Sequence, residues 1–444
     1  MRGDQPVVSA ASLIVSPSMP IATLARMCQG SWAVDQWPSG RRSCDPMMRT
    51  LRSRPAFAWV AYAFLVTMMG TTLPSPLYPI YEQRFGFGEL MVTVIFATYA
   101  VGVVAGLVLT GRLSDEVGRR PVLLFGLACA AAAAILFIVA QGVAPMLVAR
   151  VLSGLSAGAF TGTATAALLD LAPGRRQDVP AALAVAVNLG GLGCGTLLSG
   201  ALAQTGVTPL RLPFWANLAL LAPATLGVLM APEPVSARSR PRFMPQRLGV
   251  PREVRGTFIR ASLGGFSSFA ISGLFGSVAP VFLAKFLGYG SHLVAGAILA
   301  MLFLASAGGQ LAVRTLPERA ALVGGGAAVT AAACLVVSAF EAESLALVIA
   351  AGIVGGVGQG LAVGAGVAAV SAETPPERRG EVSASFFAVL YVGLCIPIVG
   401  VGVLSHAAGL RTAAVTLGAV VAAMAAAGAV SLVTRERAVS RATP

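Results

Sequence analysis

Long stretches without a single Asp, Glu, Lys or Arg limit what this chain can fold into more than any other feature. They run over residues 56–81, 90–111, 121–149, 151–169, 179–210, 212–232, 261–284, 286–313, 320–340, 344–372, 382–410 and 412–434. Each is close to or above the roughly 20 residues a helix needs to cross the hydrocarbon of a bilayer. The third and fourth are parted by Arg150 alone, and the break between their helices is placed at Gln141-Gly142. Twelve spans follow. Only 11% of the 444 residues are charged and 56% are apolar, so the chain cannot make the polar surface of a soluble fold this size, where about 25% of residues are charged. The expected class is an all-α integral membrane protein.

A net charge of +13 raises nucleic acid as a partner, but the placement of the charge excludes it. With the 112–120 loop set in the cytoplasm, only Arg84, Arg211, Lys285 and Arg411 of the 31 basic residues fall in outer loops, and Arg150 lies within span 4. The other 26 lie on one side. This asymmetry is the positive-inside rule, and it predicts a protein of the cytoplasmic (inner) membrane with both termini in the cytoplasm. The arginines recur at loop spacing with no interleaved aromatics, unlike a nucleic-acid surface. Six cysteines stand singly (Cys28, Cys44, Cys129, Cys194, Cys334, Cys395), without metal spacing, and read as small hydrophobes.

Residues 1–54 are polar and basic with no cleavable signal pattern, and are expected to be a disordered cytoplasmic extension. A true start at Met47 or Met48 is a hypothesis that mass spectrometry of the native N-terminus tests: a peptide from residues 1–46 ends it. A first bundle is expected over 55–232, a basic proline-containing linker over 233–256, a second bundle over 257–434 and a tail over 435–444. The two bundles repeat at an offset of about 203 residues. Pro173-Gly-Arg-Arg-Gln-Asp178-Val179 returns as Pro376-Glu-Arg-Arg-Gly-Glu381-Val382, and Pro76 with Gly86-Phe-Gly88 returns as Pro280 with Gly288-Tyr-Gly290. Asp115 falls opposite Glu318. Spans 3, 6, 9 and 12 are the blandest, whereas spans 1, 4, 5, 7 and 10 carry most of the Thr, Ser, Asn and Gln.

Between spans 2 and 3 runs Gly111-Arg-Leu-Ser-Asp115-Glu-Val-Gly118-Arg119-Arg120-Pro121. This Gly-x3-Asp-x2-Gly-Arg-Arg pattern, set between two spans, resembles the helix 2–3 loop of major facilitator superfamily (MFS) transporters, and the resemblance covers about residues 55–434. It implies twelve helices in two pseudo-symmetric six-helix bundles, with a substrate site near the midplane between them. It also implies that the third helix of each triplet faces lipid, in keeping with the cost of polar groups in hydrocarbon. In that family the loop Asp bonds its neighbouring Arg and the positive N-terminal end of helix 11, holding the halves together when the cavity faces outward. Here Asp115 takes that role with Arg119, Asp170 completes an acid–arginine–acid cluster, and helix 11 presents its amides near Val382–Ala384. Glu116 stands where the family has a base.

Arg150 with Gly154 and Gly158 resembles the Arg-x3-Gly pattern of helix 4 in MFS exporters. It reads either as a charge facing the cavity or as an arginine reaching to the headgroups. Gly191-Leu-Gly-Cys-Gly195-Thr196 through Gly200 resembles the glycine-rich helix 5 of drug–proton antiporters, with Thr196 in place of a Pro, and is expected to let helices 5 and 8 approach closely. The glycines from Gly352 to Gly366 in span 10 read as packing. Pro74, Pro76 and Pro79 with Tyr78 end or bend span 1. Cavity candidates besides Arg150 are Asn188, Ser268, Ser272, Gln359 and Tyr391, each equally able to make an interhelical hydrogen bond.

No acidic residue lies centrally in a span, so proton coupling rests on the family resemblance; Glu82, Asp170 and His406 are the fallback titratable groups. His292 and His406 stand alone, which leaves no constellation for a membrane enzyme, and no Gly-x4-Gly-Lys motif is present for ATP. The expectation is a monomeric secondary transporter, not an enzyme and without a cofactor. It exports a small amphipathic or weakly anionic compound by alternating access, with protons as the coupling ion. The rivals are an importer or uniporter of a metabolite or sugar, and a sensor without flux.

Overall fold

A computed structural model describes residues 45–172, 178–233 and 246–442. By its internal contacts the chain divides into residues 1–48 and 49–444; of the first unit, only the helical backbone of 45–48 is described. Among the described residues there is no strand. Twelve long helices follow one another: α1 Asp45–Thr72, α2 Glu89–Thr110, α3 Arg119–Val139, α4 Val143–Leu171, α5 Asp178–Gln204, α6 Leu212–Met230, α7 Arg255–Ser277, α8 His292–Ala312, α9 Glu318–Ala342, α10 Leu345–Glu373, α11 Arg379–Ala408 and α12 Leu410–Ala442. All twelve contain a stretch long and apolar enough to cross a membrane. The break between α3 and α4 falls at residues 140–142, where Gly142 lies in extended backbone.

The proline cluster breaks the first span as its chemistry requires. After Thr72 the chain makes a 3-10 turn at Ser75–Leu77 and restarts as a short helix, Tyr78–Phe85, with Pro79 in its first turn, where a missing N–H costs nothing. The second half echoes this: a short helix Ala279–Lys285, with Pro280 in its first turn, follows α7.

The halves are built alike. In the first, α4 packs on α2 and α3, and α3 on α6; in the second, α10 packs on α8 and α9, and α9 on α12. The two halves meet where α5 lies along α8 and where α2 lies along α11. Small residues make these approaches possible, since helices in lipid associate through close packing and polar contacts. At the α2–α4 crossing, a Cβ added to Gly102 would sit 2.3 Å from the Val151 carbonyl oxygen, and one on Gly154 2.2 Å from that of Tyr99. Gly106 and Gly158 repeat the contact one turn along. The matching α8–α10 crossing uses Gly309, Gly356 and Gly360 in the same way.

Two boundaries differ from expectation. Helix α1 begins at Asp45, ahead of residue 55, and α12 runs to Ala442, past residue 434. Pro46 lies in the first turn of α1, where a missing N–H costs nothing, and residues 435–442 contain no Gly or Pro, so nothing in either flank stops its helix. The rest of the expected disordered extension, the early-start reading before residue 45, the Pro173–Arg176 part of the repeat, residues 234–245 of the basic linker and the last two residues lie outside the described residues.

Candidate functional site

A cavity of about 720 Å³ lies between the halves. Its walls come from α1, α2, α4 and α5 on one side and from α7, α8, α10 and α11 on the other; among the described residues, α3, α6, α9 and α12 contribute none to the lining. The blandness of those four spans has its reason here, because they border no aqueous space. One end of the cavity reaches Thr165 on α4, Arg314 just after α8 and Ser371 on α10, at the face that carries the 111–118 connection, called the loop face below. The other end stops at Ser75, Phe96, Arg150 and Gly276.

Polar contacts between the halves close the far face. Lys285 donates to Glu82 at 3.3 Å and to Glu89 at 2.9 Å. Burial pulls the Lys285 pKa down, but its bonds to Glu89 and Glu82 and their charges outweigh that, so it is raised above the usual lysine value. Beside it, the Gln204 side-chain oxygen accepts from the Ser291 hydroxyl at 3.2 Å and the His292 amide at 3.1 Å. Deeper in, a Cβ on Gly402 of α11 would meet the Thr93 hydroxyl of α2 at 2.2 Å. These contacts close the far face, and the cavity extends from there toward the loop face.

Arg150 lies at the sealed end, with only 1% of its surface exposed. Its guanidinium donates to the carbonyl oxygens of Thr71 at 2.8 Å, Ile95 at 3.4 Å and Phe96 at 3.5 Å. It also lies over the rings of Tyr99 at 4.5 Å and Phe96 at 5.4 Å, an attraction worth about 2 kcal/mol when desolvated. It does not reach toward headgroups. The Tyr99 ring meets that of Tyr391, on the other half, edge-on at 6.4 Å, and the Tyr391 ring meets Phe269 edge-on at 5.4 Å. Arginine, two tyrosines and a phenylalanine from four helices thus form one node between the halves.

Of the other candidates, Asn188, Ser272, Gln359 and Tyr391 line the cavity. The side-chain oxygen of Gln359, on a residue 6% exposed, has no hydrogen-bond partner among the described residues. Ser268 is a correction: it is fully buried, bonds back to the Gly265 carbonyl at 2.8 Å and is absent from the wall. Phe269, Ser272 and Gly276 form the stripe of α7 that faces the cavity, and residue 268 is turned about 100° away from residue 269 on a helix of 3.6 residues per turn.

Gly191 and Gly195 pack on α1, not α8: a Cβ on them would meet the carbonyl oxygens of Leu65 at 2.5 Å and Met69 at 2.3 Å. The close α5–α8 approach is made instead by Gly200 against His292 and by Thr196 against Gly296. The split arises because residues 191 and 195 share one helix face and 196 and 200 another.

At the loop face, Arg119 holds the cluster that the loop pattern implies. It pairs with Asp115, donates to Asp170 at 3.2 Å and to the Ser114 hydroxyl at 2.8 Å. Glu233, just after α6, accepts from the amides of Arg119 and Arg120 at 2.8 Å each. It satisfies two free N–H groups at the positive end of α3. Gly118 makes room for it: φ is +111°, and a Cβ there would lie 2.8 Å from the Glu233 carboxyl carbon. Asp115 does not meet helix 11 in this conformation. Linker residues stand between, with the Gln246 amide donating to the Val108 carbonyl at 2.7 Å. The Gln246 side chain is wedged between Gly111 and Gly380, 3.2 Å from the Cβ position of each, and the Gly249 amide donates to Ser385 at 2.9 Å.

Sequence reasoning passed over Glu233, Gln246, Tyr99, Phe96 and Phe269. The Gly102-x3-Gly106 spacing was a readable signal for the α2–α4 crossing, and Glu233 is the first acid after span 6. The aromatic lining had no signal, since aromatics occur throughout the spans. Among the described residues, no three His, Cys, Asp or Glu side chains are grouped as metal ligands would be.

Residues 60–396 match the sequence profile of the Major Facilitator Superfamily. An uncharacterised MFS-type transporter of Mycobacterium tuberculosis is 29% identical over 209 residues, 46% of this chain and 29% of that one. The multidrug resistance protein MdtL of Klebsiella pneumoniae is 30% identical over 99 residues, 22% of this chain and 25% of that one. The chain thus spans less than a third of the length of these curated relatives. A crystal structure of a bacterial homolog of the human lysosomal transporter Spinster, in an inward-facing and unoccupied conformation, superposes with a TM-score of 0.68. It has 16% identity, covering 88% of this chain and 99% of that one, a likeness of fold alone. With that profile running from α1 into α11, over twelve helices in two like halves about a central cavity, the chain belongs to the Major Facilitator Superfamily of transporters.

Proposed function

We propose that this protein is a secondary active exporter of the cytoplasmic membrane, moving small amphipathic compounds by alternating access. The observation that carries the reading is the central cavity, which extends toward the loop face while Lys285, Glu82 and Glu89 tie the halves together at the far face. The positive-inside asymmetry supports the loop face being cytoplasmic, with both termini on that side. An exporter loads from that side in this state. Rocking of the halves then breaks the Lys285 contacts, and closure at the loop face engages Asp115 and Arg119 with the N-terminal end of α11, in place of the Gln246 wedge. The partial likeness to a multidrug resistance protein supports efflux over uptake. Protons are the proposed coupling ion and the monomer the working unit. The 55–232 and 257–434 bundles are the proposed moving bodies, with 1–54, 233–256 and 435–444 as cytoplasmic segments.

The experiment is flux of an amphipathic compound panel in proteoliposomes of known orientation, with and without an imposed proton gradient. Net movement from the loop face to the far face, stimulated by acid at the far face, is expected. Movement only in the other direction indicates an importer. Saturable binding without flux indicates a sensor, and either outcome overturns the reading.

A further inference from the structure

The cavity wall carries the Arg150 guanidinium at its sealed end, and none of the described residues that line it is a carboxylate. Arg150 is buried against carbonyl oxygens and ring faces, all of them neutral. A buried cation with neutral partners keeps most of its field, because the interior screens it far less than water does. Removing such a charge from water is costly unless an opposite charge compensates it. None of the described residues of the cavity wall supplies that charge.

From this we infer that the cavity takes a lipophilic organic anion, whose negative group seats at its Arg150 end. The inference rests on the transporter reading above and adds the charge of the cargo. It predicts discrimination against the lipophilic cations that an acid-bearing cavity would select, since like charge imposes a specificity penalty. The rest of the cavity fits the rest of such a molecule. Its volume lies within the range for drug-sized ligands, and Phe269, Tyr391 and Phe96 offer ring faces to an apolar body. The unpartnered oxygen of Gln359, on the half opposite Arg150, is an acceptor for a donor on the same ligand. A ligand held between Arg150 and Gln359 touches both halves, so each half's movement is felt by it.

The test uses the full chain and three compounds of matched size: 4-biphenylacetate, its neutral amide, and the 4-biphenylethylammonium cation. Binding to the purified protein is measured by calorimetry, and flux in proteoliposomes. Wild type is expected to bind the acetate about tenfold or more tightly than the cation. Arg150→Gln is expected to erase that preference and Arg150→Lys to retain it. Since Arg150→Gln also removes three internal hydrogen bonds, Gln359→Glu provides an independent arm: it leaves the Arg150 contacts intact and is expected to weaken acetate binding and improve that of the cation. Equal or tighter binding of the cation or the amide by wild type, or no binding of the acetate, overturns the inference, as does a Gln359→Glu protein with unchanged preference. Binding of the acetate without flux upholds the inference and sinks the transporter reading. Flux of the cation or amide alone does the reverse.

Discussion

Lys285, at the end of the short helix after α7, donates to Glu89 at the first turn of α2, 2.9 Å away across the boundary between the halves. Glu82 takes the same ammonium at 3.3 Å. One cation shared by two acids from the other half is the polar clasp that holds the far face shut. Lys285→Ala is expected to raise far-face labelling of a Ser75→Cys reporter by an impermeant maleimide several-fold. Unchanged labelling shows that the clasp is not what keeps this face closed.

The same clasp has a defined pH sense. The raised pKa of Lys285 means that its contribution to the closed far face is fully present below the ordinary lysine value and is lost as pH rises through the higher one. Titration of this lysine is therefore expected to leave closure unaffected between about pH 6 and 9 and to weaken it only above about 10.4. Maleimide labelling saturates poorly in that alkaline range, so spin-label distances across the far face are the measurement. A lysine-dependent opening near neutral pH contradicts the assignment.

Asp115→Asn removes one of the two acids on Arg119 and leaves Asp170 in place. Its expected effect is a fall in flux of about tenfold or more, in line with the coupling energies of conformational switches, with membrane insertion unchanged. Flux assays alongside quantified expression check it, and normal flux counts against a gating role.

Gly118→Ala is expected to be worse than Glu233→Ala. Loss of the Glu233 cap costs about 1 kcal/mol, whereas Gly118→Ala combines a positive φ unfavourable to Ala with a clash against the Glu233 carboxylate. Thermal denaturation in detergent ranks the two; equal melting temperatures refute the argument.

Gly154→Ala forces a Cβ onto the Tyr99 carbonyl, a backbone atom that cannot swing aside, and overpacking of this kind costs about 1–3 kcal/mol or more. Gly162, eight residues along the same helix, has nothing within 4 Å of its Cβ position, so Gly162→Ala is expected to be neutral. Folded yield by size-exclusion chromatography separates them.

Span number, the repeat of the halves and the polar character of the inner helices could all be read from the chain, because insertion depends on summed transfer costs over local windows. The Asp115, Arg119 and Asp170 cluster was readable too, through the resemblance of the loop to the family's helix 2–3 loop and the place of Asp170 at the matching end of span 4. What could not be read was anything that depends on how each helix is turned about its axis. Ser268 and Ser272 look equivalent in sequence, yet only Ser272 lies on the stripe with Phe269. Gly191 and Gly195 look like the glycines that serve α8, yet they serve α1. Glu233 and Gln246 become parts of the loop-face machinery only when α6 and the linker return to Gly118, Gly111 and Gly380. Sequence alone determines how often this chain enters apolar surroundings, because that is a sum over neighbours along it. The tertiary structure decides which side chains share the cavity, because rotation and crossing of helices are settled by backbone-to-backbone packing between residues far apart in the chain.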